Sequence, residues 1–384
     1  MFRRDPTRAD KERVLAPRRL PPWTWILPAL GWAALALWAG GAAPHPLLAA
    51  LRGVLLIGCV LAAVHHAEAV AARVGEPLGT LLLALAVTAM EVALIVALSL
   101  GGATTLARDT VFATIMIILN GMVGLCLLLG AFRHREQHFS LYGVNATLAA
   151  LAAIAVVTLV LPNVTTTAPG PYYTPGQLAF VGIVSLILYG VFVLVQTIRH
   201  PDYFLTETTP DEATIPDKAT MPHEATPPSD ARATNPVAAA AILLVAALGA
   251  VILLAKSLGA ALERSVAALG APEALVGVVV AAIVLLPESL AAIQAARADR
   301  LQTSLNLALG SAMASIGLTI PAVAAVSIAT HWPLALGLDA RDMVLLALSL
   351  FTAALSLGTG RTTVLQGAVH LVIFGVYLFT TIIP

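Results

Sequence analysis

The stretch "IVLLPESLAAI", residues 283–293, decides the fold class of this chain, because a proline and an acid interrupt an apolar run. Pro287 stands directly before Glu288, the one ionisable residue of the stretch. A second apolar run, "LAVTAMEVALIV" (residues 85–96), also carries a single acid, Glu91. A carboxylate deep in hydrocarbon is costly unless it faces a polar cavity or a partner. The pattern therefore indicates membrane helices whose acids face such a cavity.

The composition of the whole chain is typical of a protein with many membrane-spanning helices. Of its 384 residues, 59% are hydrophobic and 11% are charged, whereas soluble proteins have about 25% charged residues. The formal net charge is zero, so no basic surface predicts nucleic-acid binding. Cys59 and Cys126 both lie in apolar runs, which indicates neither a disulfide nor a metal framework. We therefore expect an all-α polytopic membrane protein.

Eleven apolar segments are long enough to cross a bilayer, which takes roughly 20 residues each. Before the first of them, residues 1–22 are expected to form a polar, basic cytoplasmic tail and not a cleavable signal peptide. The sequence predicts membrane helices over residues 23–42, 46–64, 78–100, 110–131, 141–161, 177–198, 236–256, 274–296, 303–327, 342–358 and 362–383.

A polar segment over residues 199–235 interrupts this series of helices. It is dense in proline and threonine, and its acidic residues outnumber its basic ones. Such a composition buries too little apolar surface to order itself. We predict a flexible cytoplasmic linker, with an acidic regulatory arm that binds cations as the alternative.

The distribution of lysine and arginine predicts the orientation in the membrane. If the N-terminus lies in the cytoplasm, most of the 21 Lys and Arg residues fall on the cytoplasmic side. This asymmetry follows the positive-inside rule, so we predict a cytoplasmic N-terminus. The five that fall outside are Arg52, Arg108, Lys256, Arg264 and Arg341.

The linker divides the remaining spans into two groups of five helices, over residues 46–198 and 236–384, and helix 23–42 stands outside both. The first group enters the membrane from outside and the second from inside, which is the sequence correlate of an inverted-repeat transporter. Glu91 and Glu288 each lie in the second helix of their group. At a rise of 1.5 Å per residue, each acid is expected about 20 Å from one membrane face.

The two glutamates together offer up to four oxygens and two negative charges, which suits a hard divalent cation such as Ca²⁺. Calcium takes 6–8 oxygen ligands, so further groups must contribute. Close helix packing explains a stripe of small hydroxyl residues equally well, and both interpretations stay open for the hydroxyls. The candidates for additional ligands are Thr88, Asn120, Asn306, Ser311 and Ser315.

Pro287 has two possible roles beside Glu288. Proline lacks an amide donor, so it frees a carbonyl upstream in the helix, and this oxygen could face the ion. A kink that serves only packing is the alternative.

Protons and cations would compete for the same carboxylate oxygens. The pair is neutral when both acids are protonated and also when one divalent cation is bound, whereas the empty, charged pair is costly in the membrane. The site is therefore expected to move loaded with either protons or metal. This predicts obligatory exchange with two or more protons per divalent ion.

Two adjacent histidines, His65 and His66, are expected at the cytoplasmic end of helix 46–64. One interpretation is that both are solvated side chains at the interface. The other is that they sense cytoplasmic pH, because histidine titrates near neutrality.

Two segments resemble a known family: "HHAEAVAARVGEPLGTLLLALAVTAMEVALI" (residues 65–95) and "VVVAAIVLLPESLAAIQAARADRLQTSLNLALGSAMASIGLTIPAVA" (residues 278–324). They are similar to the bacterial ChaA-type calcium/proton antiporters of the calcium/cation antiporter superfamily. The resemblance implies ten core helices in inverted repeats, an extra N-terminal helix and a place in the bacterial inner membrane. It also implies that Glu91 and Glu288 are the acids of the two repeats.

The same resemblance implies export of Ca²⁺ driven by inward proton flow, and ChaA-type members are also linked to Na⁺ and K⁺ exchange. One feature departs from the superfamily. Vacuolar cation/proton exchangers carry a Gly-Asn pair shortly before each glutamate, whereas this chain has Val87-Thr88 and Leu285-Leu286 there. The asparagine ligands of that branch are missing at these positions.

The sequence favours a transporter over a channel or an enzyme. The leading hypothesis is a Ca²⁺/H⁺ antiporter without a resident cofactor, and its rival is a Na⁺(K⁺)/H⁺ antiporter that uses the same glutamates. A channel is a further class. For an enzyme or a primary pump we would expect a nucleophile–base pair, clustered metal ligands or a nucleotide-binding loop, and the sequence shows none of these. The expected partners are inorganic cations, protons and the lipid bilayer.

Overall fold

The computed structural model describes residues 21–37, 46–75, 78–99, 104–204, 235–268, 270 and 272–383. Most of the predicted basic tail 1–22 and of the predicted linker 199–235 lies outside these residues. The last residues of the predicted helix 23–42 lie outside them as well.

The described chain is almost entirely helical. Within the described residues, nine helices are long and apolar enough to cross a membrane, and a bent pair, Ala274–Val284 with Leu286–Arg297, makes a tenth span if it is counted as one. Helix α1 is apolar but has only 14 described residues. The all-α polytopic fold class is confirmed, whereas the predicted count of eleven spans is not. The helices are α1 (Trp23–Ala36), α2 (Pro46–Val74), α3 (Leu78–Ser99), α4 (Leu106–His134), α5 (Leu141–Val164), α6 (Pro175–Arg199), α7 (Asn235–Ala268), α8 (Ala274–Val284), α9 (Leu286–Arg297), α10 (Leu301–Thr330), α11 (Ala340–Leu357) and α12 (Val364–Ile382).

Two helices extend well beyond the apolar runs that predicted them. Helix α2 was expected to end at residue 64 and continues to Val74, and α7 was expected to end at residue 256 and continues to Ala268. Both extensions are rich in alanine and long-chain polar residues, which favour helix. Hydropathy therefore predicts only the apolar, membrane-embedded part of each helix. Residues of high helix propensity extend the helix beyond that part.

The predicted span 274–296 is broken in its middle. Helices α8 and α9 meet at Leu285 with a bend of 56°. Pro287 lies in the first turn of α9, where its missing N–H is tolerated, whereas its ring could not continue α8 without a clash. The break places Glu288 in the first turn of α9, where the positive end of the helix dipole favours a negative charge.

The helices pack around two buried spans, α4 and α10. Helix α10 contacts α3, α5, α6 and α9, so it touches both halves of the chain. On the periphery α2 and α7 pack along each other, and α1 contacts both. Trp32 Nε1 donates a hydrogen bond to the carbonyl oxygen of Ala246 (2.9 Å), which fixes α1 against α7.

The first residues of the predicted linker are folded. Residues Pro201–Phe204 form a 3₁₀ turn after α6, and Phe204 is buried. The ring of Tyr203 stacks on Tyr142 of α5, with 5.4 Å between ring centroids. The part of the linker that the structure describes therefore packs on the bundle, because it carries aromatic side chains, unlike the Pro- and Thr-rich residues after it.

Helices α4 and α12 approach closely at two glycines. A Cβ built on Gly367 would lie 2.6 Å from the backbone nitrogen of Leu128, and one built on Gly124 would lie 2.8 Å from Cβ of His370. Small residues let membrane helices pack backbone against backbone. These two glycines therefore set the distance between α4 and α12.

We expect Gly367→Leu to destabilise the protein by about 1–3 kcal/mol, because the new side chain meets backbone and cannot be accommodated without a shift. The measurement is the temperature at which the detergent-solubilised protein loses its monodisperse size-exclusion peak. The matched control is Gly375→Leu in the same helix, where a Cβ has open space around it. Equal melting temperatures for the two variants would contradict this account of the contact.

Candidate cation site

One cavity of about 670 Å³ is lined by both glutamates. It lies between α3, α6, α10 and the break between α8 and α9, and the turn after α6 closes part of its wall. Four of the five predicted additional ligands also line it. The two glutamates and the four predicted ligands that line the cavity are Thr88, Glu91, Glu288, Asn306, Ser311 and Ser315.

Glu91 is buried and fully engaged by hydroxyl groups of α10. The hydroxyl of Ser315 lies 2.7 Å from Oε1 and 2.5 Å from Oε2 of Glu91. Thr319 Oγ1 donates a further hydrogen bond to Oε2 (2.8 Å). Hydrogen bonds to an ionised group are stronger than those between neutral groups, so these contacts stabilise a carboxylate in the membrane interior. They also tie α3 of the first half to α10 of the second.

Thr319 was not among the residues predicted for the site. It lies four residues after Ser315, which itself lies four after Ser311, so the three share one face of α10. The four-residue spacing between Ser311 and Ser315, continued by one more turn of the helix, predicts Thr319 on the same face.

Glu288 is in a different environment. Its Oε2 atom is buried and has no hydrogen-bond partner among the described residues. Its carboxyl group lines the same cavity as that of Glu91, so the two negative charges repel when both acids are ionised. A buried acceptor without a partner costs about 1–3 kcal/mol, and more when it is charged. A proton or a cation bound at this oxygen would remove that cost.

Asn306 lines the cavity, but its amide group is already hydrogen-bonded to the protein. Its Nδ2 donates to the carbonyl oxygen of Phe204 (2.5 Å), and its Oδ1 accepts from Gln302 Nε2 (2.9 Å). The residue thus fixes the 3₁₀ turn after α6 against α10. Its oxygen accepts one hydrogen bond and has a second lone pair, so its role as an ion ligand stays a prediction.

Asn120 was predicted as a ligand, but it does not line the cavity that holds the two glutamates. It lies in a π-helical segment of α4 (Ile117–Met122) and faces α11 and α12. Its Nδ2 donates to Ser349 Oγ (2.8 Å), and its Oδ1 lies 3.3 Å from His370 Nδ1. Ser356 Oγ lies 2.7 Å from the other ring nitrogen of His370. The amide is therefore satisfied in a second buried network, separate from the glutamates.

The two histidines of α2 also lie away from the cavity. His66 is buried, and its Nε2 donates to the carbonyl oxygen of Thr24 in α1 (3.0 Å). The ring of His65 lies 5.4 Å from that of Trp23. The interpretation of both as solvated side chains is thus wrong for His66, because α2 continues past residue 64 and α1 covers it. Their role in pH sensing stays a prediction.

The cavity reaches the glutamates from one side of the bundle. Its lining includes Leu81 near the start of α3, Gln196 near the end of α6 and Phe204 beyond it. These positions share the membrane face at which α10 begins. The positive-inside pattern predicts that this face is cytoplasmic.

The chain belongs to the sodium/calcium exchanger protein family, a family of membrane cation antiporters. The family model matches it twice, over residues 45–198 and 239–383. The first matched segment contains Glu91 and the second contains Glu288.

Two curated relatives cover almost the whole chain. A putative ionic transporter, y4hA of Sinorhizobium fredii, is 50% identical over 370 residues, which is 95% of this chain and 97% of that protein. The sodium-potassium/proton antiporter ChaA of Escherichia coli is 38% identical over 360 residues, 92% of this chain and 94% of its own. The resemblance to ChaA-type antiporters is thus confirmed.

Solved structures show that the fold is shared with calcium/proton exchangers. Native YfkE matches 94% of this chain and 100% of its own, with a TM-score of 0.71 and 18% identity. The H⁺/Ca²⁺ exchanger CAX matches 97% of this chain and 89% of its own, with a TM-score of 0.65 and 16% identity. At these identities the likeness concerns the arrangement of the helices.

We expect Ser315→Ala and Thr319→Val each to raise the KM for the transported cation by roughly tenfold to hundredfold. Each removes a hydrogen bond to Glu91, and a bond to a charged group contributes about 1.5–3 kcal/mol, while every 1.4 kcal/mol is a factor of ten. The measurement is cation-dependent proton release from proteoliposomes. Thr147→Val is the matched control, because that buried hydroxyl donates to the carbonyl of Gly143 in its own helix. A KM unchanged in both site variants would show that these contacts do not serve cation binding.

Proposed function

We propose that this protein exchanges Ca²⁺ for H⁺ by alternating access, with Glu91 and Glu288 binding the cation and the protons in turn. The observation that carries the proposal is the shared cavity, in which one glutamate has hydroxyl partners and the other has a buried oxygen that no described residue bonds. Such an arrangement is incomplete until a proton or a cation binds. The family supports antiport of cations as the class of activity.

The charge of the site supports obligatory exchange. With both carboxylates ionised and close together, the empty site carries two repelling charges in the membrane interior, which is costly. One divalent cation or two protons make it neutral. The loaded site is therefore the form that can change its exposure from one side of the membrane to the other, which couples cation movement to proton movement.

Hydroxyl and water oxygens would have to complete the calcium shell. Among the described residues no group of three or more His, Cys, Asp or Glu side chains is placed to hold a metal. Calcium takes 6–8 oxygens and accepts hydroxyls, carbonyls and water. Besides the two glutamates, Thr88, Ser311 and Ser315 line the cavity, and the volume of about 670 Å³ leaves room for water.

The distribution of lysine and arginine and the bacterial relatives support a place in the bacterial inner membrane with the N-terminus in the cytoplasm. In that orientation the cavity opens the two glutamates to the cytoplasm, where Ca²⁺ is collected for export. The predicted inverted repeats, residues 46–198 and 236–384, provide a way to close this side and open the other, because opposed halves can exchange their arrangements. In this mechanism the role of Pro287 is structural, because the break at this residue places Glu288 in the first turn of α9.

Exchange of Na⁺ or K⁺ for H⁺ at the same glutamates is the alternative, and one observation favours it. The Escherichia coli relative, 38% identical, is a sodium-potassium/proton antiporter by name. A monovalent cation with one proton also neutralises two carboxylates, so the charge argument alone allows both.

The choice between these cations can be measured in inside-out vesicles that hold a proton gradient. We expect Ca²⁺ to dissipate the gradient at lower concentration than Na⁺ or K⁺, because two carboxylates match two positive charges. Vesicles without the protein provide the background. A response to Na⁺ or K⁺ together with none to Ca²⁺ would reject the calcium assignment and leave the antiport mechanism intact.

We expect Glu91→Gln and Glu288→Gln each to abolish exchange, because an amide can neither take up the proton nor supply the charge. The measurement is the same dissipation of the gradient, made at matched amounts of folded protein. Glu273→Gln is the control, since Glu273 is exposed just before α8 and lines neither described cavity. Undiminished exchange in either glutamine variant of the site would refute the proposed mechanism.

A further inference from the structure

A second cavity lies between the first two helices of each half. This apolar crevice has a volume of about 370 Å³ and is enclosed by α2, α3, α7 and α8. Its walls come mainly from small and aliphatic side chains, including Ala50 and Gly53 of α2, Leu98 of α3, Gly259 of α7 and Val280 of α8.

The apolar crevice and the cation site lie on opposite sides of the two glutamates. Along α3, the crevice residues Leu94 and Leu98 follow Glu91, whereas residues of the cation cavity precede it. Along the broken span, the crevice residues Val280 and Ile283 precede Glu288. Leu98 is seven residues from Glu91, about 10 Å along the helix, so the crevice occupies the half of the membrane away from the mouth of the cation cavity.

The chemistry of the apolar crevice excludes a polar ligand. Among the described residues of its lining, Ser265 provides the only polar side chain, and that hydroxyl donates to the carbonyl of Ala261 (2.8 Å). Apolar cavities of about 150 Å³ in proteins stay free of water and take up small hydrocarbons. Left empty, the walls of a larger one lose dispersion contacts. The occupant that fits such walls is a hydrocarbon.

The apolar crevice is open to the surroundings of the bundle. Its lining residues Ala50 and Ser265 are exposed, and beside Ala50 the large side chains of Leu51 and Val54 are 51% and 65% exposed. In a membrane protein these exposed aliphatic side chains on a spanning helix face lipid tails. Above Gly53 there is unoccupied space, since a Cβ built on it has no atom within 4 Å.

Positive charge lies beside the apolar crevice on α7. Lys256 and Arg264 are exposed and are the chain neighbours of the lining residues Ala255 and Ser265. Long basic side chains near the end of a membrane helix reach toward the interface, where lipid phosphates lie. Apolar walls with cations near the membrane surface match the two parts of a phospholipid.

We propose that the apolar crevice binds one acyl chain of a phospholipid from the leaflet opposite the mouth of the cation cavity, with the phosphate near Lys256 and Arg264. The chain fills the space between α2 and α7 on one side and α3 and α8 on the other. It therefore packs against α3, which carries Glu91, and against α8, which ends just before Glu288, in the half of the membrane away from the mouth of the cation cavity.

The test uses the full-length protein in liposomes that contain a phosphatidylethanolamine with a photoreactive diazirine near the end of one acyl chain. After illumination, labelled peptides are identified by mass spectrometry. We expect labelling of the crevice segments of α2 and α7 above that of the lipid-facing surface of α6. Labelling no stronger than on α6 would overturn the proposal, because the lipid would then be ordinary surrounding lipid.

Gly53→Leu provides the decisive variant, because its side chain enters the unoccupied space without meeting the backbone and leucine favours helix. We expect loss of crevice labelling in this variant and unchanged labelling in Gly190→Leu, an exposed glycine of α6 that also has open space around it. Persistent labelling in Gly53→Leu would overturn the proposal. If Gly53→Leu fails to fold, Ala50→Leu narrows the opening of the same crevice and is judged by the same outcomes.

Discussion

The hydrogen bonds between Glu91 and α10 are the interaction on which the rest of the site depends. A carboxylate in the middle of a membrane needs partners that do not cancel its charge permanently, or it can no longer exchange its ligand. Hydroxyl groups meet this requirement, because Ser315 and Thr319 stabilise the ionised form without a counter-charge. A lysine or arginine in their place would form a buried ion pair and leave Glu91 without net charge for a cation.

The two glutamates differ although they occupy similar places in the two halves. Glu91 lies in an unbroken helix and takes its hydrogen bonds from another element, whereas Glu288 lies in the first turn after a break and keeps one buried oxygen without a partner. A cation shared by both acids would therefore gain most at Glu288, because, of the two acids, it is the one whose oxygen lacks a partner among the described residues. The repulsion between the two negative charges adds to the free energy gained on binding, since any bound cation or proton relieves it.

The helices around the site separate two tasks. Helices α4 and α10 are the most buried spans and pack against neighbours through small residues, as the approach of Gly124 and Gly367 shows. Helices α2, α3, α7 and α8 instead enclose the apolar crevice, while α3, α6, α10 and the break between α8 and α9 surround the cation cavity on the other side of the glutamates. The closely packed α10 supplies the hydroxyl groups that hold Glu91, and the two cavities provide the space that a change in access requires.

The sequence by itself determined the membrane class, the two acids and the break at Pro287, because each depends on the order of residues along one helix. Hydropathy needs no partner, and a proline disfavours the interior of a helix through its own ring and its missing amide hydrogen. It also identified Thr88, Ser311 and Ser315 as polar residues on helices near the acids, and the structure brings these to the cavity. The predicted ends of α2 and α7 were too early, because an apolar run defines the part of a helix that crosses the membrane and not the whole helix.

Only the tertiary structure decided which polar groups meet. Asn120 and Asn306 looked equivalent as buried amides, yet one bonds Ser349 beside His370 and the other holds the carbonyl of Phe204. Their partners lie more than a hundred residues away in the chain, and contact depends on how each helix is rotated and how far it is shifted against its neighbour. Helical periodicity gives the face of a residue relative to its own helix, but only packing selects the helix that this face meets.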